Sequence, residues 1–479
     1  MNAALKIKTY TPEEIARIVG GELVLTGKGS TASVTDICTD SREAKGGSLF
    51  AAIAGERVDG HDYMASAADL GAACFLAQRV PDSMAEKNAA VIVVDDPIRA
   101  LGDLASDYRD ASAVKVVAIT GSVGKTTTKE FIAAVAAAGC KTHKTEGNHN
   151  NDLGLAMTLF TLEKDDAVSV LEMGMSALGE IERLSKIAKP DIAVVTNIGT
   201  SHLASLGTRE NICRAKLEIV AGMKPDGVLL LNADEPLLYA RADSITPKPL
   251  FMSLESAHGD YRAVNIRTVG DGMTYDLICR DQAYTNVQIP TLGQHNVYNS
   301  LAAYAVGTML GLTENTIRRG LLQFHGADMR QKIYEMGAFT VIEDCYNASP
   351  ESMRAALDVL SAVCAQRNAK SAALLGDMLE LGEYTRLMHD QLGQYAAQTK
   401  VNRLFCYGKM ADVIAEAAIK NGIRADNVYV SLDTRDPQTM ANMILEALEP
   451  GDVLLVKASR AVAAEKVLAC MKSRRKRKK

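Results

Sequence analysis

Tryptophan is absent from the 479 residues, and phenylalanine occurs only 8 times. The absence of tryptophan and the few phenylalanines argue against stacking platforms for nucleobases. Its net charge of −5 and its lack of a basic face remove the electrostatic reason to bind nucleic acid. No apolar run approaches the roughly 18 residues of a membrane span. The opening MNAALKIKTYTPEE carries no apolar h-region. The 9 cysteines are odd in number, scattered from Cys38 to Cys470, and never form a C-x-x-C. That spacing excludes a zinc ribbon or a redox pair and fits buried thiols in a reducing compartment. Asn347-Ala348-Ser349 is formally a glycosylation sequon, but Pro350 follows it. Nucleic-acid-binding, disulfide-scaffold and membrane-spanning classes are set aside, and a cytoplasmic protein is expected.

What is present centres on residues 116–130, V-V-A-I-T-G-S-V-G-K-T-T-T-K-E. They read as a buried strand, a glycine-rich turn and the start of a helix. Gly121 and Gly124 let the turn bend, so that the backbone N–H groups of Ser122, Val123 and their neighbours can face a phosphate. Lys125 can reach the outer phosphates and the Thr126 hydroxyl can sit on Mg²⁺, with Thr127 beside them. The general phosphate loop has Gly or Ala at the position held here by Ile119, so the motif is the shorter T-G-x-x-G-K-T. A nucleoside triphosphate site is expected.

A chain of this length and composition, 47% hydrophobic and 23% charged, has too much core for one domain. Three α/β domains are expected. Residues 1–107 form a small N-terminal domain opened by Thr11-Pro12-Glu13-Glu14, a capped helix start. Its strands are expected at 33–39, 48–53, 73–77 and 90–94. Residues 108–326 alternate strands at 114–120, 167–172, 192–197 and 227–232 with helices, the signature of a parallel sheet. Residues 327–479 alternate again at 339–342, 372–375, 403–407 and 453–456, a Rossmann-like doubly wound fold without a phosphate loop. They end in a basic tail, 473–479, expected to be solvated.

Ligands in such sheets lie beyond the carboxyl ends of the strands. Glu172 ends one strand, placed to be the outer partner of Mg²⁺. His202 follows another; it can bind a metal or a phosphate, although a lone loop histidine is more often structural. Asn148 and Asn151 stand in the amide-rich G-N-H-N-N, where they position a second substrate or cap the helix 153–160. Lys216 lies in an expected helix 209–223 and, taken alone, is a surface lysine. His295, Asn296 and Asn299 precede a small-residue helix at 300–309; amides suit the edge of adenine but also cap helices. Ser41 and Arg42 form an anion cradle or a solvated turn. In the third domain the strand tips carry Asp344, Tyr346, Asn347, Asp377, Lys457 and Arg460. These residues are expected to bring in a co-substrate or to help close over ATP.

Taken in order, T-G-S-V-G-K-T-T-T-K-E, L-E-M-G-M, T-N-I-G-T-S-H-L, A-K-L-E-I, L-N-A-D-E and G-Q-H-N-V-Y-N-S-L-A-A resemble the Mur ligases. These are the ATP-dependent amide-forming enzymes of peptidoglycan synthesis. The similarity runs through all three domains, and the shortened phosphate loop is normal for that family. G-N-H-N-N-D-L-G-L, E-D-C-Y-N-A-S-P-E-S-M and L-L-G-D-M-L-E-L-G-E-Y resemble the branch that joins D-alanyl-D-alanine to UDP-N-acetylmuramoyl-tripeptide. T-D-S-R-E-A-K-G-G-S-L-F and G-E-R-V-D-G-H-D-Y resemble its nucleotide-sugar domain. D-N-P-R, found in ligases that add the third amino acid, is absent.

The resemblance implies ATP and one or two Mg²⁺ as cofactors, with Lys125, Lys216 and His202 as catalytic residues. Thr126, Glu172, His202 and Lys216 would hold metal, Lys216 as a carbamate. His295, Asn296 and Asn299 become adenine-side contacts, and Arg330 and Asp344 the third domain's reach to the nucleotide. Ser41 and Arg42 become uridine-diphosphate contacts. The substrates implied are the nucleotide-linked tripeptide and the dipeptide, on a monomer. Asn-Ala-Ser-Pro in place of Asn-Ala-Asn-Pro, and Ala458 and Ala461 in place of glycines, depart from the family pattern on the dipeptide side. A sister Mur ligase, a folylpolyglutamate synthetase-type ligase and a regulatory NTPase remain as alternatives.

Overall fold

The structure, a computed structural model, describes residues 1–279 and 282–476. Three sheets organise it. The first has a parallel core of Asp36–Cys38, Ser48–Ala51, Cys74–Ala77 and Ala89–Val93. Short antiparallel edges, Asn2–Ala4 and Glu22–Thr26, escaped the sequence reading. Thr11 caps the helix Pro12–Val19 in a capping box with Glu14, as its sequence predicts.

The central sheet holds nine strands. Its parallel part contains Val168–Glu172, Lys115–Thr120, Ile192–Val195 and Val228–Asn232, side by side in that order. Their residues are apolar on both faces because helices cover both. Val117 and Ile119 face the helices Lys125–Ala137 and Gln294–Met309, whereas Val116 and Ala118 face Asp152–Phe160 and Glu180–Ala188. The chain leaves Lys115–Thr120 to build the sheet on one side and then returns to build the other. The crevice beyond this strand is therefore a topological switch point. Tyr261–Val269, which joins the sheet parallel to Leu250–Ser253, and then Gly272–Cys279 and Gln282–Ile289, antiparallel in turn, extend the sheet with strands that the sequence reading did not name. Their polar, half-exposed faces lack the apolar runs that mark the buried strands.

The third sheet is parallel in Phe339–Glu343, Val453–Lys457, Ser371–Gly376, Arg403–Tyr407 and Val428–Ser431, with Lys332–Met336 antiparallel at one edge.

Three expectations need correction. The helix expected from 300 begins at Gln294, so His295, Asn296 and Asn299 lie in its first turns instead of a preceding loop. Asn299 Nδ2 donates to Asn296 Oδ1 at 3.0 Å, which offsets the poor helix propensity of both. The expected helix 209–223 is α-helical over Arg209–Leu217 and tightens to a 3₁₀ turn over Glu218–Gly222. The basic tail is not wholly free: the helix Glu465–Lys476 runs into it, and Arg474 donates to Asn442 Oδ1 at 2.5 Å. Residues 477–479 of the expected tail lie outside the described residues. No described helix is long and apolar enough to cross a membrane.

Candidate functional site

The phosphate loop leaves the strand Lys115–Thr120 and enters the helix Lys125–Ala137 at Gly124, whose φ is 84°. A Cβ on Gly124 would stand 2.8 Å from Asn299 Oδ1, and one on Gly121, at φ 151°, 1.9 Å from Thr196 Oγ1. Both positions therefore require glycine. Asn197 clamps the loop from the next strand. Its Oδ1 accepts from Val123 N at 2.9 Å, its Nδ2 donates to Val123 O at 3.0 Å, and Thr196 Oγ1 donates to the same carbonyl at 2.7 Å. Neither residue was assigned a role from sequence, although both directly follow a strand beside the loop. Lys125 Nζ donates to the carbonyl of Gly121 at 2.8 Å. Burial holds its ammonium below the usual lysine pKa, against the pull of the Glu172 carboxylate. The Ser122 hydroxyl is buried without a partner among the described residues.

Glu172 pairs in register with Ile119, two residues before the glycine turn. Its Oε2 accepts from Thr126 Oγ1 at 2.8 Å and its Oε1 from Asn150 Nδ2 at 2.9 Å. Within the amide-rich loop, therefore, Asn150 is the residue that reaches the site. Asn148 is exposed, and Asn151 spends its Oδ1 capping the helix Asp152–Phe160 through Gly154 N. Thr145 accepts from Glu172 N through its hydroxyl, and the buried Lys129 donates to Thr145 O.

Lys216 is 1% exposed, which corrects its reading as a surface lysine. Burial, and then the charge of Lys125, push its amine well below the usual value. His202 turns Nδ1 to Glu380 Oε2 at 2.9 Å, across to the third sheet's domain.

A cavity of about 750 Å³ runs from the phosphate loop to that domain. Ser122, Val123, Gly124, Lys125, Thr126 and Thr127 line one side together with His295, Asn296 and Asn299; Arg330, Asp344, Asn347 and Lys457 line the other. Asn296 Nδ2 donates to Gln331 Oε1 at 2.7 Å, and Gln331 Nε2 lies 2.9 Å from His295 Nε2. Asn299 Oδ1 accepts from Thr128 Oγ1 at 3.0 Å. The Arg330 guanidinium covers the ring of Tyr346 at 4.4 Å. The buried Lys457 donates to Asp344 Oδ2 at 2.7 Å and to Asn347 O at 3.1 Å. Asp377 accepts from Lys409 N and Met410 N at 2.8 and 2.9 Å, so both its oxygens are engaged in closing a turn. Arg460 pairs with Glu465 at 3.3 Å. Ser41 and Arg42 stand apart, in a 3₁₀ turn of the first unit, where Arg42 forks onto Asp40 at 2.9 and 2.6 Å.

The departures from the family pattern have structural uses. Ser349 caps the helix Pro350–Arg367 through Ser352 N at 3.3 Å. Ala458 is buried against Gly376, where a second Cβ would come within 2.6 Å of it.

Thr126 and Glu172 offer a hydroxyl and a carboxylate to one point, a set of hard oxygens that fits Mg²⁺. Among the described residues no cluster of three or more His, Cys, Asp or Glu accompanies them. A second cation would therefore need another anionic donor.

Family profiles match along the chain: "Mur ligase family, catalytic domain" over residues 33–109, "Mur ligase middle domain" over 119–307, and "Mur ligase, glutamate ligase domain" over 329–460. UDP-N-acetylmuramoyl-tripeptide–D-alanyl-D-alanine ligase of Bacillus subtilis (strain 168) is 38% identical over 460 residues, 96% of this chain and 97% of that one. A crystal structure of MurF from Acinetobacter baumannii superposes with a TM-score of 0.86 at 32% identity, covering 97% of this chain and 99% of that one. MurF from Thermotoga maritima in complex with ADP gives 0.81 at 28% identity, over 92% and 98%. The motif resemblance and the three-domain α/β expectation are borne out, and the chain belongs to the Mur ligase family.

Proposed function

We propose that the chain joins D-alanyl-D-alanine to UDP-N-acetylmuramoyl-tripeptide, the reaction for which its relatives are named, and that ATP drives it. The observation that carries this reading is the phosphate loop. Its Lys125 and its Thr126, the latter bonded to Glu172 behind it, face across one cavity the polar strand tips of a second doubly wound sheet. In this division of labour residues 1–107 hold the nucleotide sugar, with Ser41 and Arg42 at its diphosphate. Residues 108–326 hold ATP, and residues 327–479 close on it and receive the dipeptide.

A carboxylate and an amine do not condense in water unless the carboxylate is activated. An oxygen of the tripeptide's terminal carboxylate attacks the γ-phosphorus of ATP, its bond to the β,γ-bridging oxygen breaks, and ADP leaves. The amine of the dipeptide then attacks the acyl carbon. The nitrogen loses a proton, phosphate departs, and an amide remains. The first step brings two anions together. Lys125 and the N-terminus of the helix Lys125–Ala137 supply fixed positive charge, and the unpartnered Ser122 hydroxyl supplies a donor. Thr126 and Glu172 would hold Mg²⁺, which neutralises phosphate charge when bound. His202 would join them, as would Lys216 once carbamylated. Its depressed pKa supports that assignment, because only a neutral amine captures CO₂.

His295, Asn296, Asn299, Arg330 and Asp344 are assigned to the nucleotide. Tyr346, Asn347, Lys457 and Arg460 are assigned to the peptide substrates; Asn148, Asn151 and Asp377, expected there from sequence, are instead exposed, spent on a helix cap and spent on a turn. The domain that closes excludes water from the acyl phosphate. The enzyme acts as a cytoplasmic monomer.

The test is phosphate release from Mg·ATP with the UDP-linked tripeptide, with and without D-Ala-D-Ala. Release that needs both, with the pentapeptide nucleotide seen by mass, is expected. Release indifferent to both would make the chain an NTPase instead. Lys125→Ala is expected to lower turnover by about 10²-fold or more while leaving the circular dichroism unchanged; near-full activity would overturn the phosphate-loop assignment.

A further inference from the structure

The third unit touches the central one at the segment that carries His202. Two of its carboxylates close on that segment. Glu351, in the first turn of the helix Pro350–Arg367, accepts from Thr200 N at 2.9 Å and from Thr200 Oγ1 at 3.0 and 3.2 Å. Glu380, beyond the strand Ser371–Gly376, sets Oε2 2.9 Å from His202 Nδ1, and its backbone carbonyl accepts from Ala204 N at 3.1 Å. Gly382 lies against Ala204 too, so closely that an added Cβ would come within 3.2 Å of its Cα. His202 and Glu380 both have left-handed backbones, each with φ 65°, which non-glycine residues adopt rarely. A pair of unusual conformations facing each other across an interface points to a contact held for its geometry.

The chemistry of imidazole gives that contact a consequence. A neutral ring that donates Nδ1–H to a carboxylate keeps its lone pair on Nε2. No other side chain bonds to the His202 ring among the described residues. Nε2 is then the nitrogen left free to accept or to ligate. We propose that Glu380 is a positioning residue supplied from the third unit. It sets the tautomer and the ring orientation of His202, with Glu351 on Thr200 as the second anchor, so that the nucleotide site is complete only when that unit is docked on residues 199–204. The inference rests on the ligase reading only in placing His202 at the phosphate–metal site.

Glu380 is 61% exposed at its side chain and packs in no core, so its variants should fold. Long-range ¹H–¹⁵N spectra of histidine-labelled protein, with the His202 signals identified by their loss in His202→Asn, read the tautomer directly. The wild type is expected to show Nδ1 protonated and Nε2 bare. Glu380→Ala should move both shifts toward a tautomer average, and Glu380→Gln, whose amide oxygen still accepts, should restore them. Electron paramagnetic resonance of Mn²⁺ with ADP reads the second consequence. Affinity for Mn²⁺ should fall about tenfold in Glu380→Ala and recover in Glu380→Gln, with a smaller loss in Glu351→Ala. An unchanged ¹⁵N pattern or an unchanged Mn²⁺ affinity in Glu380→Ala overturns the proposal. Wild-type protein that binds no Mn²⁺·ADP would instead sink the nucleotide reading, leaving the spectra to decide the His202–Glu380 contact on their own.

Discussion

Single atoms decide much at this site. Gly121 has no room for a methyl group, because Thr196 Oγ1 would lie 1.9 Å from it and Thr196 is itself bonded to Val123 O. Gly121→Ala should therefore open the loop and weaken ADP binding by at least about tenfold, the effect of roughly 1.4 kcal/mol; calorimetric titration with ADP measures it. His389 supplies the pH-dependent case. It is buried, accepts from Met378 N at 2.9 Å through Nε2, and sets Nδ1 2.6 Å from Thr385 O. Burial lowers its pKa below 6.5. The unfolded chain then binds more protons than the folded one between that lowered value and 6.5. The stabilising contribution is whole above 6.5 and is lost as pH falls through the folded value. His389→Gln should cost about 1–3 kcal/mol at pH 8 and visibly less at pH 5. Denaturant melts at the two pH values check the sign, and an equal cost at both would contradict it.

Caps and registers act at the scale of elements. Ser349 stands where the family usually has an amide, yet it performs the job an N-cap demands, accepting from Ser352 N and starting an 18-residue helix whose first turn carries Glu351. Ser349→Ala should lose about 1 kcal/mol, and Ser349→Asn should lose almost nothing, because asparagine and serine cap equally well. Thermal melts separate the two. If both variants melted alike, well below the parent, the hydroxyl would have a use beyond capping. The strand Val168–Glu172 shows register at work. Pairing Ile119 with Glu172 delivers the carboxylate to Thr126, and a slip of one residue would turn Glu172 to the opposite face.

The whole molecule brings together surfaces that are distant in sequence. The cavity between the central and third sheets is lined from Ser122 through Lys457. A ligand bound there by both units stabilises them together. Mg·ADP at a hundredfold excess over its Kd should add about 2.7 kcal/mol to stability and raise one cooperative melting transition. Two transitions of which only one moves would show that a single unit holds the nucleotide.

Sequence alone marked most of the buried parallel strands, the phosphate loop and the family, although the parallel strands Leu250–Ser253 and Val428–Ser431 went unread. Apolar runs, obligatory glycines and a lysine–threonine pair are local signals, and each carries its meaning within a few residues. It also singled out Glu172, at a strand end, and His202, in the loop beyond another, as residues to inspect. It left open what depends on a partner far along the chain. Asn150 and not its neighbours reaches Glu172, 22 residues away. Lys216 is buried instead of exposed, and the amides at 296 and 299 belong inside a helix under the phosphate loop. The antiparallel strands Tyr261–Val269, Gly272–Cys279 and Gln282–Ile289 were missed because their exposed faces carry no apolar pattern. Only tertiary structure set Glu351 and Glu380 on the segment of His202, because contacts spanning 151 residues or more leave no periodicity in the chain that forms them; folding creates them by stacking one sheet's strand ends against another's.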